Sequence, residues 1–153
     1  MIRRPPRSTR KESSAASDVY KRQSKERQMI EIIKTDKAPA STSPVSQGTK
    51  GGGLVFVGGQ MPRDMASQKI VDGALNQARL SLKHGISILN EAGSGVGDVL
   101  LAVVYMTDLS QKDAVNQAFL EVFGDKPPTR NLVEVSDIGE GTIIEVALTA
   151  IAH

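Results

Sequence analysis

Two charged residues near the C-terminus carry the clearest chemical possibility in this chain. Arg130 stands in PPTRNLVEV and Glu145 in TIIEVALTAI. A guanidinium presents a planar fork of donors that suits bidentate capture of a carboxylate, and the stiff entry Pro127-Pro128-Thr129 sets where that fork points. Glu145 alternates with Ile143 and Ala147 along a strand-like run, where an isolated carboxylate is expensive to bury. It is therefore an ion-pair partner of Arg130, a charge at a solvated edge, or a functional group.

The elements that must position this pair follow from periodicity. MIEIIKT, from Met29, predicts a first strand, and 36–47, with two prolines and four Ser/Thr, a loop. The apolar, β-branched run 54–57 predicts a second strand, approached hairpin-fashion through 50–53, with Gly58 and Gly59 marking a bulge or a close backbone approach. GTKGGG lacks the spacing of a phosphate loop. Residues 72–92 repeat apolar positions every three or four (Leu75, Ala78, Leu82, Ile86, Leu89), which predicts a helix with Asp72 as N-cap and Gly93 closing it. Val99–Met106 is apolar on both sides and predicts a strand covered on both faces. Ser110 and Asp113 are expected to cap a second helix through Phe123, and strands are expected at 131–136 and 142–152. The order strand, strand, helix, strand, helix, strand, strand predicts an α+β fold, a mixed sheet with two helices on one face. Two helices cover only one face, so the other is expected to meet a second copy of the chain, with a site at the subunit boundary.

Composition narrows the function classes. A chain of 153 residues with 39% hydrophobic content suits one domain. Without cysteine there is no disulfide, thiolate nucleophile or zinc-finger site, and a cytosolic protein is expected. No apolar run reaches the roughly 18 residues of a membrane span. Residues 1–28 hold nine Lys/Arg against three acids, a net +6, which leaves ten against fourteen, −4, for residues 29–153. The basic character thus belongs to a tail, and the mildly acidic remainder argues against nucleic acid as a partner. The tail has neither periodicity nor large apolar content and reads as disordered. A transit peptide and a basic binding arm compete with a third origin, which we favour: residues 1 to about 23 resemble translated sequencing-adaptor read-through, placing the natural start near Met29.

Several further segments, SPVSQG, LVFVGGQMP, LNEAGSGVGDVL, VYMTDL and VNQAFLEVFG, precede PPTRNLVEV and IIEVALTAIA in an order that resembles the reactive intermediate deaminase family (Rid, also called YjgF) from about residue 29 to the end. The resemblance implies a chorismate-mutase-like α+β fold and a homotrimer with sites between subunits. It implies hydrolysis of reactive 2-imino or enamine acids to 2-keto acids and ammonia, protecting against metabolic damage, with no cofactor and no metal. By position, Arg130 matches the arginine that clamps the substrate carboxylate and Glu145 the glutamate that holds or activates water. Asn116 and Gly59 match positions near the pocket, the backbone at Asn131 and Leu132 is expected near the substrate nitrogen, and Gln60 is expected to support the strand end.

Three positions depart from the family pattern: Val45 where tyrosine is usual, Gly58 where serine is common, and Leu132 where cysteine or serine often stands. They predict a more apolar pocket, an altered substrate and weak turnover. The alternative is a non-enzymatic small-molecule-binding or chaperone-like protein of the same fold. A ribonuclease gains little support from an acidic domain with few aromatics and no histidine pair. His84 and His153 are expected to be surface or structural residues.

Overall fold

The computed structural model describes residues 30–153, so the basic tail lies outside the described residues. Six strands form one sheet: β1 (Glu31–Ile33), β2 (Gly48–Gly51), β3 (Leu54–Gln60), β4 (Val99–Met106), β5 (Thr129–Glu134) and β6 (Ile144–Ile151). Among the described residues two α-helices, α1 (Ala74–Glu91) and α2 (Lys112–Phe123), accompany the sheet. The spatial order β1-β2-β3-β6-β4-β5 is antiparallel except at β4 and β5, which run parallel with α2 between them in sequence. The sheet is therefore mixed, as expected, and β5 with Arg130 is an edge strand.

Alternation sorts each strand into two faces. Val55, Val57, Ala102, Val104, Met106, Ile144, Val146, Leu148 and Ala150 are buried and form the core with the helices. α1 approaches so closely at Gly85 that an added Cβ would stand 2.8 Å from a methyl of Leu148, which explains a glycine inside an amphipathic helix. The opposite face carries Ile32, Phe56, Tyr105, Glu145, Ala147 and Ile151, and among the described residues no element covers it. Phe56 is 48% and Ile151 42% exposed, large apolar groups left in water. Among the described residues no helix is long and apolar enough to cross a membrane.

Local expectations needed three corrections. The hairpin approach before β3 is itself a strand, β2, whose partners are Ile32, Val55 and Phe56 among others; its Gly-Thr-Lys-Gly composition hides it from a search for apolar alternation. Asp72 does not cap α1: the N-cap is Gly73, at φ 82°, with no side-chain bond, and the Asp72 carbonyl accepts instead from the Asn76 side chain. Nor do Ser110 and Asp113 cap α2, because the chain enters it through a short 3-10 turn, Leu109–Gln111, whose cap is Asp108 accepting from the Ser110 N–H.

A candidate site in two halves

Arg130 pairs in register with Ala102, and so points to the helix face. Its guanidinium lies with Cζ 4.8 Å from the centre of the Phe119 ring, and Nη2 donates to Asn116 Oδ1 at 2.7 Å. Such a cation–π contact contributes about 0.5–1 kcal/mol at an exposed site. Asn116 is steadied in turn by Asp113, 3.3 Å away. Asn116 and Phe119 stand one turn apart on α2, which is why they meet the same guanidinium. Together with Leu120, Gly124, Pro127 and Pro128 they line an open groove of about 390 Å³. Among the described residues no carboxylate pairs with Arg130.

Glu145 pairs in register with Tyr105, on the opposite face. An ion pair between Arg130 and Glu145 within one chain is thereby excluded: the two residues sit on different strands, separated by β4, with side chains on opposite sides of the sheet. The half-buried carboxylate of Glu145 lies over the Cα of Gly59, where a Cβ would stand 2.6 Å from its Cδ and 3.1 Å from its Cγ. Gly59 is thus required for clearance. The pairing of β3 with β6 shifts between Val57 and Gln60, and the buried Gln60 holds this bulge through Nε2 to the Gly58 carbonyl at 2.9 Å. Burial raises the pKa of Glu145 above its ordinary value, because nothing nearby stabilises the charged form.

Beyond the bulge, Gly58 and Gly59 open on a second cleft of about 290 Å³, walled by Pro39, Val45, Met61 and Arg63. Its loop wall is organised by Gln47, whose Nε2 donates to the carbonyls of Thr35, Ala38 and Pro39 while its Oε1 accepts from the Thr35 N–H. Both clefts are of a size for small metabolites rather than extended ligands.

The residues singled out from sequence therefore fall into two groups. Arg130 and Asn116 meet on the helix face. Glu145 and Gly59 meet on the other, next to the cleft walled by Val45 and Gly58. Asn131 and Leu132 follow Arg130 on β5, but Asn131 pairs with Val103 and faces the open side, whereas Leu132 packs partly buried against the core. Phe119 is the site residue that the sequence does not single out; its place three residues after Asn116 is the available signal. His84 is structural, 2% exposed, with Nε2 2.9 Å from the Arg63 carbonyl. His153 pairs at the surface with Asp98. Among the described residues no three His, Asp or Glu side chains cluster as metal ligands would.

A family model described as Endoribonuclease L-PSP matches residues 35–152. A RutC family protein of Pyrococcus abyssi is 37% identical over 121 residues, spanning 78% of this chain and 95% of that protein. The 2-iminobutanoate/2-iminopropanoate deaminase of Salmonella typhimurium is 32% identical over 126 residues, spanning 80% and 98%. The crystal structure of E. coli TdcF with bound serine superposes with a TM-score of 0.77 at 32% identity, covering 80% of this chain and 99% of that one.

Proposed function

Because the chain belongs to the reactive intermediate deaminase (Rid, YjgF) family, we propose that it hydrolyses small 2-imino or enamine acids to 2-keto acids and ammonia. The observation that carries this reading is the placement of two uncompensated charges, Arg130 and Glu145, on opposite faces of one sheet. One copy cannot close both around a small acid. A contact that sets the β5 edge of one copy against the open face of the next would bring them together.

Such a contact is heterologous, and it closes as a ring when the rotation between copies is a simple fraction of a turn. We assign a homotrimer with three sites between subunits. The exposed Phe56, Ile151 and Ile32 supply the apolar surface that the contact buries. Residues 29–153 constitute the functional unit, and its setting is the cytosol.

At such a site Arg130 takes the substrate carboxylate with the donors that Asn116 leaves available. The protonated imine is already electrophilic. Water attacks C2, one of its protons passes to the Glu145 carboxylate, and the C=N π pair moves onto nitrogen. Glu145 then gives its proton to the carbinolamine nitrogen, takes the hydroxyl proton as the keto carbonyl forms and the C–N bond breaks, and passes that proton to the departing ammonia, which leaves as ammonium. A raised pKa suits both steps, since it makes the carboxylate a better base and moves its titration toward the working pH. Substrate and water are held in attacking geometry by the two halves, and no further group is required for this chemistry.

The test is ammonia release from 2-iminobutyrate generated in situ, compared with Arg130→Ala. Release that depends on Arg130 supports the reading. Equal rates for the two proteins, or none above buffer, would sink it. Val45, Gly58 and Leu132 favour a second reading, a carboxylate-binding protein without turnover, which predicts keto-acid binding that persists in Glu145→Gln.

A further inference from the structure

α1 packs against β6 through more than apolar groups. Gln77, Ser81 and His84 recur at spacings of four and three residues, and all three are buried, at 2%, 0% and 2% exposure. Each holds backbone of an element outside the helix. Gln77 is the most heavily used. Its Oε1 accepts from the N–H of Ile143 at 2.7 Å and of Ile144 at 3.2 Å, and its Nε2 donates to the Val71 carbonyl at 3.0 Å. Ser81 Oγ reaches the Ile144 carbonyl at 3.4 Å.

The backbone that Gln77 grips would otherwise be poorly held. β6 emerges from a turn in which Gly139, Glu140 and Gly141 all adopt positive φ. Its ladder with β3 stops at Gln60↔Val146, so among the described strands only β4 still pairs with it at Ile144. Glu145 is the next residue, and its carboxylate must stand over Gly59 with little clearance. Since side chains alternate along a strand, a small rotation at 143–144 swings Glu145 off the bulge.

We propose that Gln77 is a positioning residue for Glu145, fixing the first two peptide groups of β6 so that the carboxylate is held half-buried against Gly59. The inference rests on the reading of Glu145 as the water-activating group. It adds a residue 68 positions away in sequence, on another element, that never meets the substrate.

The experiment compares wild type, Gln77→Leu and Gln77→Glu. Leucine fills a similar volume without donor or acceptor, whereas glutamate keeps an acceptor for both N–H groups. Gln77→Leu is expected to lower kcat on 2-iminobutyrate by roughly tenfold or more with KM within about twofold, because the carboxylate clamp belongs to the other half-site. The acid limb of its pH–rate profile is expected to move to lower pH, as a freed Glu145 gains water and loses the effect of burial. Gln77→Glu is expected to recover most of the lost kcat. An unchanged kcat and acid limb in a less stable Gln77→Leu, or a rise in KM alone, would overturn the proposal. Titration of Glu145 by NMR with 13C-labelled glutamate reads the same positioning without turnover. A lowered Glu145 pKa in Gln77→Leu upholds it even if wild type releases no ammonia, in which case the deaminase reading alone fails; an unmoved pKa overturns it. If Gln77→Leu does not fold, Gln77→Asn, whose shorter amide withdraws from Ile143 and Ile144, is read in the same way.

Discussion

Arg130 is held at the sheet's edge by an exposed asparagine side chain and the face of the buried Phe119 ring. Glu145 stands in the opposite setting, half-buried over a glycine bulge, on a strand whose first residues are held by a buried glutamine. The contrast matches the roles proposed for the two groups. An arginine is charged at any working pH, so its surroundings need only aim it. A carboxylate that must both take and return a proton needs its pKa set, and burial is the means available here. The precision of the fold is accordingly concentrated on the Glu145 side.

The largest effect separates the halves outright. Arg130→Ala and Glu145→Gln should each lose at least about 100-fold in kcat/KM. If the halves of a site come from different copies, co-refolding the two inactive variants in equal amounts regenerates intact sites. Random assembly into rings pairs an intact Glu145 half with an intact Arg130 half at about one site in four, so the mixture should recover about a quarter of wild-type activity. A mixture as inactive as its components would show that no site is shared between copies.

Gly59→Ala tests the close-packed half alone. The new Cβ collides with the Glu145 carboxylate, which must move by about an ångström, and kcat should fall roughly 10- to 100-fold. Keto-acid affinity, the property of the Arg130 half, should stay within about threefold. Asn116→Ala is the converse and is expected to be milder. It removes one hydrogen bond worth about 1 kcal/mol from a guanidinium still resting on Phe119, so KM should rise about fivefold with kcat unchanged. A fall in kcat for Asn116→Ala, or a rise in KM for Gly59→Ala, would erase the division of labour.

The same asymmetry governed what could be read from the sequence. The core strands, both helices and the parity that puts Glu145 beside Ile143 and Ala147 follow from residue-by-residue patterning, because burial on one face enforces it. β2 escaped because its residues make a strand through backbone pairing with little side-chain burial. The opposite orientation of Arg130 and Glu145 depends on register across β5, β4 and β6, a long-range property with no local signature. Gln77 and His84 were obscured for a different reason: a polar residue on the apolar face of a helix looks like noise until its partners, distant in sequence, are known.

His84 supplies the smallest effect and the one that bears on stability. Burial holds its imidazole below the ordinary 6.5, more than the Arg63 carbonyl raises it, and among the described residues Nδ1 has no partner in good hydrogen-bond geometry. Its charged neighbours are Lys83, which opposes protonation, and Asp64, which favours it, as does the nearby Lys37 peptide group. With its folded pKa depressed, His84 adds stability that is complete above about pH 6.5 and is lost as pH falls through that value toward the folded pKa. Glu145 acts in the other direction, since its raised folded pKa gives stability that is full below about pH 4.5 and is lost as pH rises through the folded value. Urea unfolding between pH 7 and 5 should therefore show a decline for wild type that His84→Gln flattens, and Glu145→Gln should gain stability at pH 7. Because His84 holds the Arg63 carbonyl, acidification should lower the hydrogen-exchange protection factors in 61–71, beside the Glu145 half, before it does so in Lys112–Phe123, beneath Arg130. Protection lost equally in both segments, or first in α2, would mean that the two halves rest on one common scaffold after all.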